Sequence, residues 1–517
     1  MLYDQDAPRL PEPPRPQPTV RHVRTRPARG RRWPRRFLVG ANIFVLLCLI
    51  ASGLAYGYVR FRVNQLKTAK CSSCTAATGT SSGGLKPMNI LLIGSNTRTG
   101  LDPSEASQFG SASDVPGARS DVTMVLHLDP ATGSASLLSI PRDLFVDLPP
   151  HSVAGSVGKI DGALNDGADN LIAAISGSLG IPINHYVEIN FDGFRRSIDA
   201  IDGIHMSFPT PLRDTLSGLQ VNQTGCQRLN GATALAVVRA RHLQYLSNGR
   251  WLDDPLSDLA RIRRDHTFLR IFVSAAKAQA TNPLKLNALI GALLNQVTVD
   301  SGMNLNMFIS LFRRYRHLNT DTVPETTLPI TVVRSYHYGN GYYGDVDMPV
   351  QPLDRQAIDA WSGQPSPAPA PQTTSVQVVN VSGLRRQAAT FGAELSALGY
   401  QVTSTTTGLN RAYTSETVIR YAPADVSPAL GLLAHLSGAA LLHSDATLTP
   451  GTLRVEVGSV VAVSSTVASA APTAPTTTAP AAPAAPTTTS SSIPTPLHQP
   501  PSSAQDQPAP FDPVACP

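Results

Sequence analysis

RSDVTMVLHLDPATGSASLLSIPRD, residues 119–143, places two apolar runs on either side of a turn. Asp121–Leu128 and Ser134–Ile140 have the length and content of strands, and DPATG, with Gly133 at the turn, joins them as a hairpin. Upstream, NILLIG (Asn89–Gly94) is a short apolar run closed by glycine, which predicts a buried strand. Downstream, LIAAISGSLG (Leu171–Gly180) predicts a helix ended by glycine, and NHYVEIN (Asn184–Asn190) another strand. ATALAVVRAR (232–241), DLARIRRDHTFLRIFVSAAKAQ (258–279) and LKLNALIGALLNQV (284–297) carry apolar residues at the helical period. Strands and helices interleave, so residues 87–350 are expected to form one α/β sandwich with a mixed central sheet.

The rest of the 517 residues divides by composition. Residues 1–36 hold ten arginines and eight prolines, with a local charge of +7 against +6 for the whole chain, and read as a disordered basic tail. The basicity is therefore not that of a nucleic-acid-binding body, and no nucleic-acid partner is expected. Residues 37–59 form an uncharged run of 23, roughly 35 Å as a helix, enough to cross a bilayer core of ~30 Å. The arginine excess before it predicts a single-pass cell-membrane anchor with a cytoplasmic N-terminus and an extracytoplasmic remainder. Residues 60–86 read as a flexible Ser/Gly/Thr stalk. Within it Cys71 and Cys74 form a CxxC, which could be a local disulfide outside the membrane but lacks a redox motif's setting. Cys48, Cys226 and Cys516 are scattered and define no scaffold. Residues 362–374 form a Pro-rich linker. Residues 375–462 alternate strand and helix patterns as a small α/β module, and the Ala/Pro/Thr-rich residues 463–517 are expected to be disordered.

Several chemistries are excluded. GNGYYG (Gly339–Gly344) matches GxGxxG but opens no helix, so it reads as a turn cluster. No nucleophile elbow between a strand and a helix, phosphate-binding GxxxxGK[ST] loop or zinc spacing is present. What remains is a set of arginines at element ends. Arg119 and Asp121 precede one strand and Arg142 and Asp143 follow another. Arg239 and Arg241 close a helix, and Arg261, Arg263 and Arg264 lie in the next. Converging guanidinium forks suit a pyrophosphate, and a carboxylate such as Asp121 could hold a bridging Mg²⁺. Solvated ion pairs are the alternative, since RSD and PRD carry their own counter-charges.

The strings NILLIGSNTR, GARSDVTMVLHL, LLSIPRDLFVDLP, KIDGALNDGAD and LNGATALAVVRAR with DLARIRRDHTFLR resemble, in order and spacing, the LytR–CpsA–Psr family over about residues 88–275. VQVVNVSGLRRQAATFGAELSALGYQV resembles the LytR C-terminal domain. The resemblance implies a phosphotransferase of cell-wall assembly. Such an enzyme moves a glycopolymer from a polyprenyl-pyrophosphate carrier onto peptidoglycan, usually the 6-hydroxyl of N-acetylmuramic acid, through a phosphodiester. The Ala/Pro/Thr-rich tails suggest a high-GC Gram-positive source, where arabinogalactan is the expected polymer. It further implies that Arg119, Arg142, Arg239 and Arg241 grip the pyrophosphate, with Lys159 and Arg264 as helpers. Asp121 would bind Mg²⁺ or Mn²⁺, and Asp143 would orient its arginine or assist the incoming hydroxyl. An apolar groove between sheet and helices is expected for the prenyl chain.

Two departures stand out. IGSNTR has Asn96 where the family typically carries an aspartate metal ligand, so the metal site has a neutral oxygen there, with Asp102, Glu105 or Asp114 nearby in sequence. RRDHTF also differs from the glutamines of many relatives. The competing expectation is therefore a catalytically weak protein that binds the polyprenyl pyrophosphate or the wall. A regulator of transcription is a third, disfavoured by the proline-broken basic tail.

Overall fold

The computed structural model describes residues 64–78, 84–97, 117–256, 258–279, 297–364, 374–408, 414–464 and 508–517, with scattered positions in 44–62, 81–82 and 282–291. The expected tail 1–36, most of the expected membrane segment, the carboxylates Asp102, Glu105 and Asp114, and most of 284–297 lie outside those residues. Among the described residues no helix is long and apolar enough to cross a membrane.

The hairpin read from the sequence forms the fifth and sixth strands of a seven-stranded sheet. Its strands are β1 (Lys67–Ala69), β2 (Met88–Ser95), β3 (Ser120–Asp129), β4 (Ser134–Ser139), β5 (His185–Asn190), β6 (Val297–Asp300) and β7 (Glu325–Thr327), in the order β1-β6-β5-β2-β3-β4-β7. Three neighbouring pairs are parallel and three antiparallel, so the sheet is mixed. Gly133 turns the β3–β4 hairpin at φ 79°, a conformation that costs glycine nothing. Helix α1 (Ala168–Leu179) buries Leu171, Ile172 and Ile175 against one face and ends at left-handed Gly180. The opposite face meets α2 (Phe191–Ala200), α3 (Gly231–Arg239) and α4 (Asp258–Gln279). The sidedness follows from β2, MNILLIGS, which is apolar on both faces and so demands cover on both.

The remaining elements extend that body. β8 (Ile330–Tyr338) and β9 (Gly341–Pro349) form a long hairpin with GNGYYG at its turn, and α5 (Leu353–Ser362) buries Trp361 against β4. The 375–462 module is a five-stranded sheet. It comprises β10 (Ser375–Asn380), β11 (Gln401–Thr407), β12 (Thr417–Tyr421), β13 (Ala440–Ser444) and β14 (Thr452–Val457), ordered β11-β10-β14-β12-β13, with α6 (Gln387–Ala397) joining parallel β10 and β11. It docks on the first domain through Arg420, paired with Asp147 and Glu456, and through the Tyr336 hydroxyl donating to Glu416 at 2.7 Å.

Three expectations are corrected. The supposed stalk supplies β1 to the main sheet. Its Cys71–Cys74 disulfide packs on the core, and the Ser72 hydroxyl and the Ser73 backbone N–H both donate to Asp169. The first domain does not stop at residue 350, since α5 covers β4. The C-terminal tail is not wholly disordered: Val514–Ala515 pairs with the strand Ile204–Phe208, and Cys516 is bonded to Cys226.

Candidate active site

Because β3 and β4 are antiparallel, the residues before one and after the other meet at a single end of the sheet. Arg142 Nη1 lies 2.5 Å from Asp121 Oδ1. Asp143 gathers three cations: Lys159 at 2.7 Å, Arg241 at 3.3 Å and Arg142 at 3.5 Å. Both of its oxygens are thus taken, which fits an orienting role better than the receipt of a proton. Asp258, at the start of α4, receives Arg241 at 2.8 Å, Arg261 at 3.2 Å and Arg142 at 3.9 Å. Arg239 sits over the Phe191 ring at 4.8 Å.

The electrostatics of this end are strained in both directions. Burial raises the Asp258 carboxyl, but Arg261, Arg241 and Arg142 outweigh it and hold the group below its usual range. Asp161 is pushed up to about 6, Asp265 to about 7 and Asp347 to about 8, each mainly by burial. Asp143 and Asp258 add repulsion at Asp347. Meanwhile the buried Nε of Arg261 makes no hydrogen bond among the described residues, and that of Arg142 faces Asp143 at 3.5 Å and Asp258 at 3.9 Å without forming one. Donors of that kind normally find an acceptor, so the cluster is suited to an added anion.

A cavity of about 450 Å³ opens from this cluster into the space between sheet and helices. Leu92, Val187 and Ile189 line it from the sheet, and Leu235, Phe268 and Phe272 from α3 and α4, while Asp121, Arg239, Arg261 and Asp265 form its polar part. The cavity thus joins an apolar chamber to a charged end where two arginines and two carboxylates meet.

Of the residues expected from the sequence, Arg119, Asp121, Arg142, Asp143, Lys159, Arg239 and Arg241 gather around this end. Arg119 is exposed and acts electrostatically on Asp161. Arg264 does not join them. It is 1% exposed and donates to Asp254 at 2.9 Å and the Ala240 carbonyl at 2.6 Å, because α4 turns it into the protein interior. Arg261 takes the place at the cavity, with Asp258, Asp161, Asp265 and Asp347 as further members that the sequence reading passed over. The spacing 258, 261, 265 along one face of α4 was the available signal.

A metal would find little protein cage. No group of three or more His, Cys, Asp or Glu side chains among the described residues could hold one. Asn96 is tied to Arg119: its Oδ1 accepts the Arg119 N–H at 2.9 Å and its N–H donates to the Arg119 carbonyl at 3.0 Å. Asp121 gives one oxygen to Arg142, which leaves a second hard donor. That oxygen is of the kind that Mg²⁺ or Mn²⁺ takes, whereas Asn96 serves as the structural tie of the loop. A second constellation, Ser139 with His266 at 2.6 Å and Glu325 beyond at 3.7 Å, resembles a nucleophile triad. Both Ser139 and His266 are fully buried and line neither cavity, so no substrate reaches them.

Residues 58–354 match the LytR–CpsA–Psr family, and residues 373–461 match the family described as LytR cell envelope-related transcriptional attenuator. The chain belongs to the LytR–CpsA–Psr family. It is 31% identical over 295 residues to the probable cell wall biosynthesis protein LcpB of Corynebacterium glutamicum, covering 56% of this chain and 66% of that one. It is 28% identical over 396 residues to LcpA of the same organism, covering 68% and 72%. The polyisoprenyl-teichoic acid–peptidoglycan teichoic acid transferase TagU of Bacillus mycoides is 30% identical over 211 residues, 41% of this chain and 56% of that one. The chain thus spans about two thirds of the first of these relatives and little more than half of the last. Among solved structures, the LytR-Csp2A-Psr enzyme from Actinomyces oris is 23% identical, with 57% of this chain and 96% of that one covered at a TM-score of 0.44.

Proposed function

We propose that this protein is a membrane-anchored phosphotransferase that moves a glycopolymer from a polyprenyl-pyrophosphate carrier onto peptidoglycan. The observation that carries the reading is the continuity of an apolar chamber with a cluster of arginines, two of which, Arg239 and Arg261, line the cavity itself. A prenyl chain fills the first and a pyrophosphate answers the second. Family membership and the wall-related names of the relatives support it. The uncharged run 37–59 supports the anchor.

In this reading Arg142, Arg239, Arg241 and Arg261 hold the pyrophosphate, with Arg119 and Lys159 at its exposed side. The acceptor hydroxyl forms the new P–O bond as the lipid phosphate leaves. A loose phosphoryl transfer asks mainly for positioning and charge neutralisation, which fixed guanidinium groups supply without reorganising. Asp143 and Asp258 set the directions of those groups. A Mg²⁺ or Mn²⁺ at Asp121 would neutralise further charge on the phosphates. The test is phosphate release from a short prenyl-pyrophosphate by the full-length chain in detergent, followed by transfer to a muropeptide acceptor. Activity lost with Arg142→Ala and with Asp121→Ala supports the reading. Tight binding without turnover would favour the carrier-binding alternative, which Asn96 motivates.

A further inference from the structure

The last ten residues fold back onto the catalytic domain at a point tied to its site. Val514–Ala515 adds a strand to Ile204–Phe208, and Cys516 is bonded to Cys226 across 290 residues of sequence. Phe511 stacks flat on Tyr245, with ring centroids 4.0 Å apart and planes 5° from parallel. Between these anchors Asp512 is 2% exposed. It accepts from Arg263 Nε and lies 3.7 Å from Arg264 Nη1.

Arg263 and Arg264 are adjacent, fully buried cations on α4, and two carboxylates face them: Asp254 for Arg264, and Asp512 for both. Arg264 also donates to the carbonyl of Ala240, the residue between Arg239 and Arg241. The connection therefore runs from Asp512 through two guanidinium groups to the backbone that carries two arginines of the site. Removing one buried partner leaves an uncompensated charge, which the structure relieves by moving the groups around it. Here the group so placed is Arg264, whose adjustment would be passed to the Ala240 carbonyl that it holds. We propose that residues 508–517 are a working part of the catalytic domain, in which Asp512 is a positioning residue that sets Arg239 and Arg241 for the phosphate. This rests on the pyrophosphate reading of the site given above.

The experiment uses the full-length chain and inorganic pyrophosphate as the probe, titrated by calorimetry, with folding monitored by near-UV circular dichroism. Asp512→Asn, still folded, is expected to bind pyrophosphate about 10-fold more weakly, the size of coupling that such networks carry. Its KM for a short prenyl-pyrophosphate should rise more than kcat falls, and Asp512→Glu should recover most of the loss. A purely stabilising strap would lower the unfolding midpoint and leave the affinity of the folded protein unchanged; that result overturns the proposal. Should Asp512→Asn fail to fold, Cys516→Ser provides the same comparison, with weaker pyrophosphate binding expected and wild-type binding overturning it. A wild-type chain that does not bind pyrophosphate would overturn the reading of the site itself, and this proposal with it.

Discussion

Two charged clusters share helix α4 and have opposite characters. Around Asp258, Arg261 and Asp265 the charges border a cavity, the Arg142–Asp258 contact is long at 3.9 Å, and carboxyl groups are displaced from their usual range in both directions. Around Arg263 and Arg264 the partners Asp254 and Asp512 are themselves buried, and neither arginine lines the cavity. The string RIRRD feeds both. The role of an arginine here is thus not defined by its neighbours in sequence. Three residues along the helix separate a group that lines the cavity, Arg261, from one that holds the scaffold, Arg264.

The strongest way to break this comparison is at the site. Arg142→Ala should lower phosphate release from a prenyl-pyrophosphate by about 10²–10³-fold, as loss of one preorganised donor does, with a small change in unfolding midpoint. A large midpoint shift with residual activity in proportion to folded protein would move Arg142 to the scaffold class. Next, Arg261→Ala and Arg264→Ala should part company. The first should weaken pyrophosphate binding with stability largely kept. The second should cost about 3–5 kcal/mol in chemical denaturation, because it leaves Asp254 buried without its cation. Equal behaviour of the pair would erase the distinction drawn along α4.

A smaller effect sharpens the account through pH. Asp161, Asp265 and Asp347 have folded-state values above those of the unfolded chain, so their protonated forms favour folding. That stabilisation is full below about pH 4 and is lost as pH rises through about 6 to 8. Asp347→Asn keeps the shape and removes the titration. Its gain in unfolding free energy over wild type should therefore be greater at pH 8 than at pH 5, by on the order of 2 kcal/mol. Denaturant curves at the two pH values decide it, and a gain that is larger at pH 5 would reverse the sign.

Much of the site was legible because local chemistry and long-range geometry agreed. The β3–β4 hairpin needed only apolar runs around Gly133, and antiparallel pairing then brought Asp121 to Arg142. The helical pattern of 258–279 was equally plain. What could not be read depended on partners far away in sequence. Lys67–Ala69 is too short and polar to announce a strand, and becomes one through β6. Pro-rich composition made 463–517 read as unpacked polymer throughout. Yet FDPVAC holds an aromatic ring, a carboxylate and a thiol whose partners, Tyr245, Arg263 and Cys226, lie more than two hundred residues earlier. Asn96 looked like a weakened metal ligand, whereas its amide oxygen is used by the Arg119 backbone.

The central claim is that chamber and arginine cluster are one site for the two halves of one amphiphile. Calorimetric titration of the full-length chain with farnesyl pyrophosphate and with inorganic pyrophosphate tests it most directly. Each methylene transferred from water contributes about 0.8 kcal/mol, so even partial burial of the chain should tighten binding at least about 100-fold over pyrophosphate alone. Val187→Trp, which fills the chamber, should remove most of that advantage while pyrophosphate binds as before. Equal affinity of the two ligands for the wild-type chain, or an advantage untouched by Val187→Trp, would contradict the account.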